Sequence, residues 1–218
     1  MKMKNKIFQL YSICKKSESN FYCVLFRLIY YKIFYKLDII AHPKVKIQGI
    51  ENIITHNSLY IGTAYVGTSL KSDKTFLNLK GKLIIEGPYL IGRGCRLDIS
   101  EGATLKIGKG GFTNINSTFI ISHGVEIGDD CSISWGCQFL DNDFHEINYE
   151  NKPPIDPKIN IGNHVWVGCN VSIYKGTKIP EGCVIAANSV VRGVFNEPNA
   201  LIAGNPAKII KHNIKWKP

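Results

Sequence analysis

The side chain best suited to move a proton near neutral pH is a histidine, and His145 lies in the run Asp141-Asn142-Asp143-Phe144-His145-Glu146. An unperturbed imidazole titrates at about 6.5, so it serves as base or acid without strong tuning. The nearby carboxylates Asp141, Asp143 and Glu146 can orient the ring or stabilise its charged form, and Asp143 is the preferred partner. Further along, Trp166 offers a flat apolar indole face suited to a sugar ring, although such a residue can equally fill a subunit interface. His164 precedes it by two, so on a strand the two side chains point the same way. Cys169 is a nucleophile only where a base activates it, and nothing near it in the sequence supplies one. Lys208 and Lys211 are three apart and share a face if that stretch is a helical turn.

Several chemistries are excluded. GxSxG, P-loop and dinucleotide fingerprints are absent, so serine hydrolysis and nucleotide-phosphate chemistry have no support. The seven cysteines include no CxxC pair, which disfavours a zinc ribbon, a thioredoxin-type site and a paired disulfide framework. A reducing, cytosolic setting is the expectation. No long uncharged apolar stretch suggests a membrane span. The apolar run Ile7–Cys14 is short and has no small-residue cleavage site after it, so a signal peptide is not expected. With 218 residues, 44% hydrophobic and 20% charged, the chain can bury one core of ordinary size.

Those candidate residues need elements to position them, and charge gives the first division. The net charge is +10, of which residues 1–48 carry +8 and residues 49–218 only +2. The basic part includes Phe21–Leu37, where aromatic and aliphatic residues are interleaved with Arg27, Lys32 and Lys36. Read as a helix, it is apolar over most of its surface with a narrow basic strip. It can pack on its own domain or on a neighbouring subunit, or lie on an anionic membrane surface. Nucleic-acid binding is the weakest reading, because no recognised motif accompanies the charge.

The rest of the chain has a period of six. Stepping from Leu79 gives Ile85, Ile91, Leu97, Ala103, Lys109, Ile115, Ile121, Ile127, Ile133 and Phe139, apolar except at Lys109. A second register runs Ile161, Val167, Ile173, Ile179, Ile185, Val191, apolar throughout. Six residues rotate a helix by about 600°, so no helix keeps these positions on one face. The period suits a solenoid in which each hexad is one side of a triangular coil, about 18 residues per coil, stacked through parallel backbone hydrogen bonds. Cys95, Cys131, Cys137 and Cys183 then fall on small inward positions as compact hydrophobes. The two registers are offset by the Asn-, Asp- and Pro-rich stretch at about 140–160, a loop that a regular solenoid does not need.

These hexad runs, the Asp143-Phe144-His145 loop, the segment Ile161-Gly162-Asn163-His164-Val165-Trp166-Val167-Gly168 and the tail Ala203-Gly204-Asn205-Pro206-Ala207-Lys208 resemble the hexapeptide-repeat acyltransferases. The likeness is strongest to sugar and capsular-polysaccharide O-acetyltransferases, a branch with polysialic acid and galactoside acetyltransferases. It covers about residues 79–214, while residues 1–60 match in general character only. The resemblance implies an all-β, left-handed parallel β-helix, and the charge division sets an N-terminal helical segment at 1–48 before the acyltransferase domain at 49–218. The resemblance also implies a short C-terminal tail or helix and a homotrimer. The handedness rests on the resemblance alone, since parallel crossovers are normally right-handed.

Acyl transfer from a thioester to a sugar hydroxyl needs a base for the hydroxyl, donors for the oxyanion and a cleft that holds both substrates. The resemblance implies His145 as that base and Trp166 packed at the site, and the acidic sequence around His145 makes Asp143 its candidate partner. Asn142, Trp166 and His164 are the candidates for the acceptor side. For the donor, acetyl-CoA, it implies Cys169 and Ala187 along the pantetheine channel. Lys208 and Lys211 would lie near the phosphates, with Arg192 as a further cation; lysines serve there as point charges. An acyl-cysteine at Cys169 is disfavoured, because the family transfers directly. A β-helical metal hydratase needs an H-x4-H pair, and the residue at that spacing from His145 is Glu150, so no metal is expected.

The reading is therefore a cytoplasmic acetyl-CoA-dependent O-acetyltransferase acting on a capsule or lipopolysaccharide sugar or its precursor. Residues 1–40 would make possible contact with the inner membrane face. N-acetylation of an amino-sugar nucleotide and a non-catalytic scaffold stand as alternatives.

Overall fold

The computed structural model describes residues 2–63, 67–146, 148, 150–151, 154 and 156–217, with side chains from residue 6 onward. Its β segments are short because a Gly, Asn or Asp interrupts them every few residues. The resulting strands pair side by side into three sheets of nine, seven and six strands, which form the faces of a triangular prism. The first face runs from Ile39–Ala41 through Tyr89–Ile91, Ser132–Ile133, Trp166–Val167 and Val184–Ile185 to Leu201–Gly204. The second runs from Val45–Gln48 to Val190–Val191 and the third from Ile53–Thr55 to Lys178–Ile179. All pairings between coils are parallel, as the period of six requires, and the fold is the left-handed β-helix.

Alternation along each strand buries two side chains per face, such as Leu77 and Leu79, or Leu83 and Ile85. The inward residues stack into columns: Leu77, Leu97, Phe119, Phe139 and Ile173 occupy one column on the second face. Within it the rings of Phe119 and Phe139 lie parallel, 4.4 Å apart. Cys95, Cys131, Cys137 and Cys183 are all buried. Burial pushes the thiols of Cys95 and Cys137 up to about 12 and that of Cys131 to about 11, so they behave as inert hydrophobes.

One expectation is corrected. A coil closes after three hexads only beyond the loop, where Ile173 pairs with Val191. Earlier coils are longer, since Leu77 pairs with Leu97 and Leu97 with Phe119. The extra residues sit at corners, so the hexad register of Leu79 drifts onto corner positions at Ala103, Lys109 and Ile115 and returns to a face at Ile121. Ten of its eleven positions are nevertheless buried, and Lys109 is the exposed turn residue.

The corners are also left-handed in backbone conformation. Gly94, Asn116, Gly136, Asn170 and Asn188 stack with φ between 55° and 76°. Asn tolerates this region better than other side chains, and Gly136 is needed because a Cβ there would lie 2.3 Å from Oδ1 of Asn170.

Two helices, α1 (Lys2–Lys16) and α2 (Phe21–Phe34), precede the prism instead of one. They break at Ser17–Asn20, where Asn20 Oδ1 caps α2 by accepting from Cys23 N at 3.0 Å. Leu10, Cys14, Val24 and Ile40 form a small second core between the helices and the first coil. Arg27 donates to the carbonyls of His42, Pro43 and Val45 at 2.9–3.2 Å, and Arg93, 1% exposed, donates to Ser17 O at 2.6 Å. The division drawn at residue 48 falls inside the first coil, because Ile39–Ala41 and Val45–Gln48 already pair with later strands. The C-terminal tail is not a helical turn. Leu201–Gly204 and Ala207–Lys211 form an antiparallel hairpin at the end of the first face.

His42 gives the helix–coil junction a pH dependence. It is buried, and Nδ1 accepts from Lys44 N at 3.1 Å. Burial, with Arg93 and Arg27 nearby, lowers its pKa to about 4. Between the unfolded value of about 6.5 and that folded value, only the unfolded chain binds the proton. Stability is therefore complete above this window and falls as pH drops through it, by up to about 1.4 kcal/mol per pH unit. Urea midpoints taken from pH 7 to pH 4.5 should show this decline, and His42→Gln should flatten it.

Candidate active site

Three of the ten candidate residues, Asn142, Asp143 and His145, lie on the loop where one coil is opened, and the others sit on separate corners and faces of the prism and on the terminal hairpin. Phe139 pairs with Ile173 across the loop, whereas the next coil closes after three hexads, Ile173 onto Val191. The excess is the loop, anchored at its start by Asp141. That carboxylate is fully buried and accepts three backbone N–H groups, from Ser122 at 2.7 Å, His123 at 2.9 Å and Gly124 at 2.6 Å. The next turn is closed by Asn142, whose Oδ1 accepts from Phe144 N at 2.8 Å, with Phe144 in the left-handed region. His145 follows, exposed, and among the described residues nothing hydrogen-bonds its ring. Ile147, Tyr149, Lys152, Pro153 and Ile155 of the loop lie outside the described residues.

Asp143 does not partner His145. It forms an ion pair with Lys175 Nζ at 2.6 Å, which ties the loop to the coil that follows it. Both side chains are about one-third exposed, so the pair is stronger than a fully solvated one and weaker than a buried one. The loop is thus held at Asp141 and Asp143, and His145 follows them in an exposed stretch. Asn142 serves the turn through its own side-chain oxygen.

His164 is not on the strand with Trp166. The strand is Trp166–Val167, and His164 sits at a corner with φ of 52°. Its ring stacks on Trp216 at 4.1 Å, and Trp216 Nε1 donates to His164 O at 3.0 Å, so the chain's own tail covers it. Trp166 does lie in the same cluster, 6.0 Å from the Trp216 ring and 41% exposed, with Nε1 donating to Ser134 Oγ at 3.1 Å.

Cys169 and Ala187 occupy one column at the adjacent corner, a coil apart, with Asn188 N donating to Cys169 O at 2.9 Å. The same column carries Trp135, exposed, whose carbonyl accepts from Asn170 N at 3.0 Å. An indole above two small residues makes a step in the corner's profile. Sequence reasoning passes over Trp135 because it lies on neither register. The signal that finds it is strand pairing: Ser132 lies beside Trp166, which sets Trp135 level with Cys169.

The cations lie on the neighbouring faces. The Arg192 guanidinium sits 4.6 Å over the Tyr174 ring. It lines a shallow cleft of about 580 Å³ with Phe195 and Lys208, and an adjoining one of about 480 Å³ with Lys175 and Asp156. Arg192 therefore links the loop side to the hairpin side. Lys208 pairs with Ala203 and Lys211 with Leu201, a bulge at Ile210 lying between them. Ala203 and Leu201 are two apart on a strand, so the two lysines do share a face, through a bulge and not a helical turn. Among the described residues no group of three His, Cys, Asp or Glu side chains is placed to hold a metal ion.

A family model for the bacterial transferase hexapeptide (six repeats) matches residues 158–193. The chain belongs to the hexapeptide-repeat acetyltransferases, and it is an acetyltransferase of that family. It is 38% identical over 219 residues, 98% of each chain, to an uncharacterised 24.8 kDa protein in the cps region of Klebsiella pneumoniae. It is 34% identical over 195 residues to the polysialic acid O-acetyltransferase of Neisseria meningitidis, across 78% of this chain and 87% of that one. A crystal structure of a polysialic acid O-acetyltransferase superposes with a TM-score of 0.57 at 26% identity, over 83% of this chain and 90% of the other.

The Asp141 anchor should be costly to lose. Asp141→Ala strands three backbone donors, and bonds to a charged acceptor contribute about 1.5–3 kcal/mol each before relaxation. A loss of roughly 3 kcal/mol in chemical unfolding is expected, with proteolytic nicking of the 141–158 loop appearing in the folded variant.

Proposed function

We propose that this acetyltransferase moves an acetyl group from acetyl-CoA to a hydroxyl of a surface-polysaccharide sugar, in capsule or lipopolysaccharide or a precursor, with His145 as general base. The observation that carries the reading is the opened coil, in which an exposed His145 follows two fixed points, Asp141 and the Asp143–Lys175 pair. The similarity to a polysialic acid O-acetyltransferase over most of both chains supports a glycan acceptor, and the relative in a cps region supports a surface polymer.

In this mechanism His145 takes the proton from the acceptor hydroxyl as its oxygen attacks the acyl carbonyl, and then returns a proton to the departing thiolate. Asp143 is a positioning residue that braces the loop through Lys175. Trp166 presents its indole face to the sugar. Backbone N–H groups at the corners receive the charge that develops on the carbonyl oxygen.

The residues present fit the donor. The small side chains of Cys169 and Ala187 leave the corner open for a thin pantetheine arm. Arg192, Lys208 and Lys211 supply positive charge for the phosphates, in or beside one cleft. Bound acetyl-CoA supplies the activated thioester. The working form in this reading is a cytoplasmic homotrimer in which the loop of one subunit faces the donor corner of another, and the exposed Trp135, Trp166 and Phe144 suit that packing.

Thiol release from acetyl-CoA over a panel of capsular and lipopolysaccharide oligosaccharides tests the reading. His145→Ala should lower acceptor-dependent release at least about a hundredfold while leaving coenzyme A binding intact. Undiminished release would remove His145 from the mechanism, and failure to bind coenzyme A or acetylate any acceptor would sink the acyl-transfer reading. A Lys208→Glu, Lys211→Glu variant should raise KM for acetyl-CoA roughly 5–10-fold with kcat little changed.

A further inference from the structure

Helix α2 buries Val24 and Tyr31 against the prism and leaves its opposite side bare. That side carries Tyr22, Phe26, Ile29 and Ile33 at helical spacing, with Tyr22 77% and Phe26 72% exposed. The apolar surface continues onto α1 through the edge-on contacts of Tyr11 with Phe21 and Phe21 with Tyr22. On α1, Phe8 is 73% exposed and Tyr11 55%.

The charge around this face has one sign. Residues 1–36 hold eight Lys or Arg and a single acid, Glu18, which is already paired with Lys71 at 3.1 Å. Lys6, Lys15, Lys16 and Lys36 are exposed around the apolar surface. The arrangement is also rigid before any partner arrives, because Arg27 and Arg93 bind backbone carbonyls across the helix–prism junction. No helix among the described residues is long and apolar enough to cross a membrane.

We infer that the outer face of α1 and α2 docks the enzyme on an anionic lipid surface, with Phe8, Tyr22, Phe26 and Ile33 entering the headgroup–acyl boundary and the lysines meeting lipid phosphates. Aromatic and aliphatic side chains flanked by lysines match the polarity gradient of such an interface. A second copy of the same face is the poorer occupant, since it would set lysines against lysines. Each lysine near an anionic surface raises partitioning roughly fivefold, so the charge and the apolar face act together. The inference uses no residue of the acyl-transfer site and stands or falls separately from it.

The test is co-sedimentation of the full chain with vesicles of phosphatidylcholine alone and with about one-third phosphatidylglycerol. Pelleting with the mixed vesicles that weakens in about 0.5 M NaCl is expected. The Phe26→Ser, Ile33→Ser variant should bind at least about tenfold more weakly. Its thermal unfolding, assembly size in sedimentation velocity and turnover of a soluble acceptor should not change. Absence of pelleting with the anionic vesicles would overturn the inference. So would a change of assembly size in the variant, which would make the face a subunit contact.

Discussion

Parallel backbone hydrogen bonding between successive coils is the constraint on which everything else in this protein rests. Each strand satisfies its N–H and C=O groups on the strands before and after it in the stack, so neighbouring coils must superpose residue on residue. Superposition converts sequence positions into columns. Inward columns become a core of Leu, Ile, Val, Phe and Cys. Corner columns fill with Gly, Asn and Asp because the backbone there turns left-handed. A column cannot change character at one level without disturbing its neighbours, which leaves few places where chemistry can be added.

The prism departs from this regularity at two places. At one, a coil is opened at Asp141 and closed again at Ile159, and the ladder on either side stays intact because the buried carboxylate takes over three donors. At the other, the corner columns are left partly bare, so that Trp135, Cys169 and Ala187 present a profile and not a smooth edge. Arg192 and the lysines of the terminal hairpin place positive charge on the next faces. Scaffold and attachment are thereby separated: the loop is long, yet its root and its Asp143 are fixed.

The fold is largely legible in the sequence because inward positions are filled by one kind of side chain. The coil length is not, since a corner absorbs extra residues without breaking the alternation on either side, and Lys109 is the one outward sign of it. Burial of Asp141 is invisible for a related reason. A carboxylate in an acidic loop reads as solvated unless the three N–H groups from the coil below are known. His164 departs from its expected place because a spacing of two means a shared face only on a strand, and a left-handed corner intervenes. The tail lysines share a face for a different reason than their spacing suggests, a bulge doing what a helical turn was expected to do. The break between α1 and α2 is written in Asn20, its cap, but the aromatic run that follows masks it.

The regularity of the three-hexad coils beyond the loop has a consequence for how such a chain can change. Between Ile161 and Val191 the coils repeat at three hexads, and the height of the stack there is quantised. A whole turn can be gained or lost with every column preserved, and the prism only grows taller or shorter. A single inserted residue on a face, by contrast, would turn an inward Ile toward solvent and an outward Lys into the core. The stack therefore acts as a ruler, and the distance between the opened coil and the terminal hairpin can be reset only in whole turns.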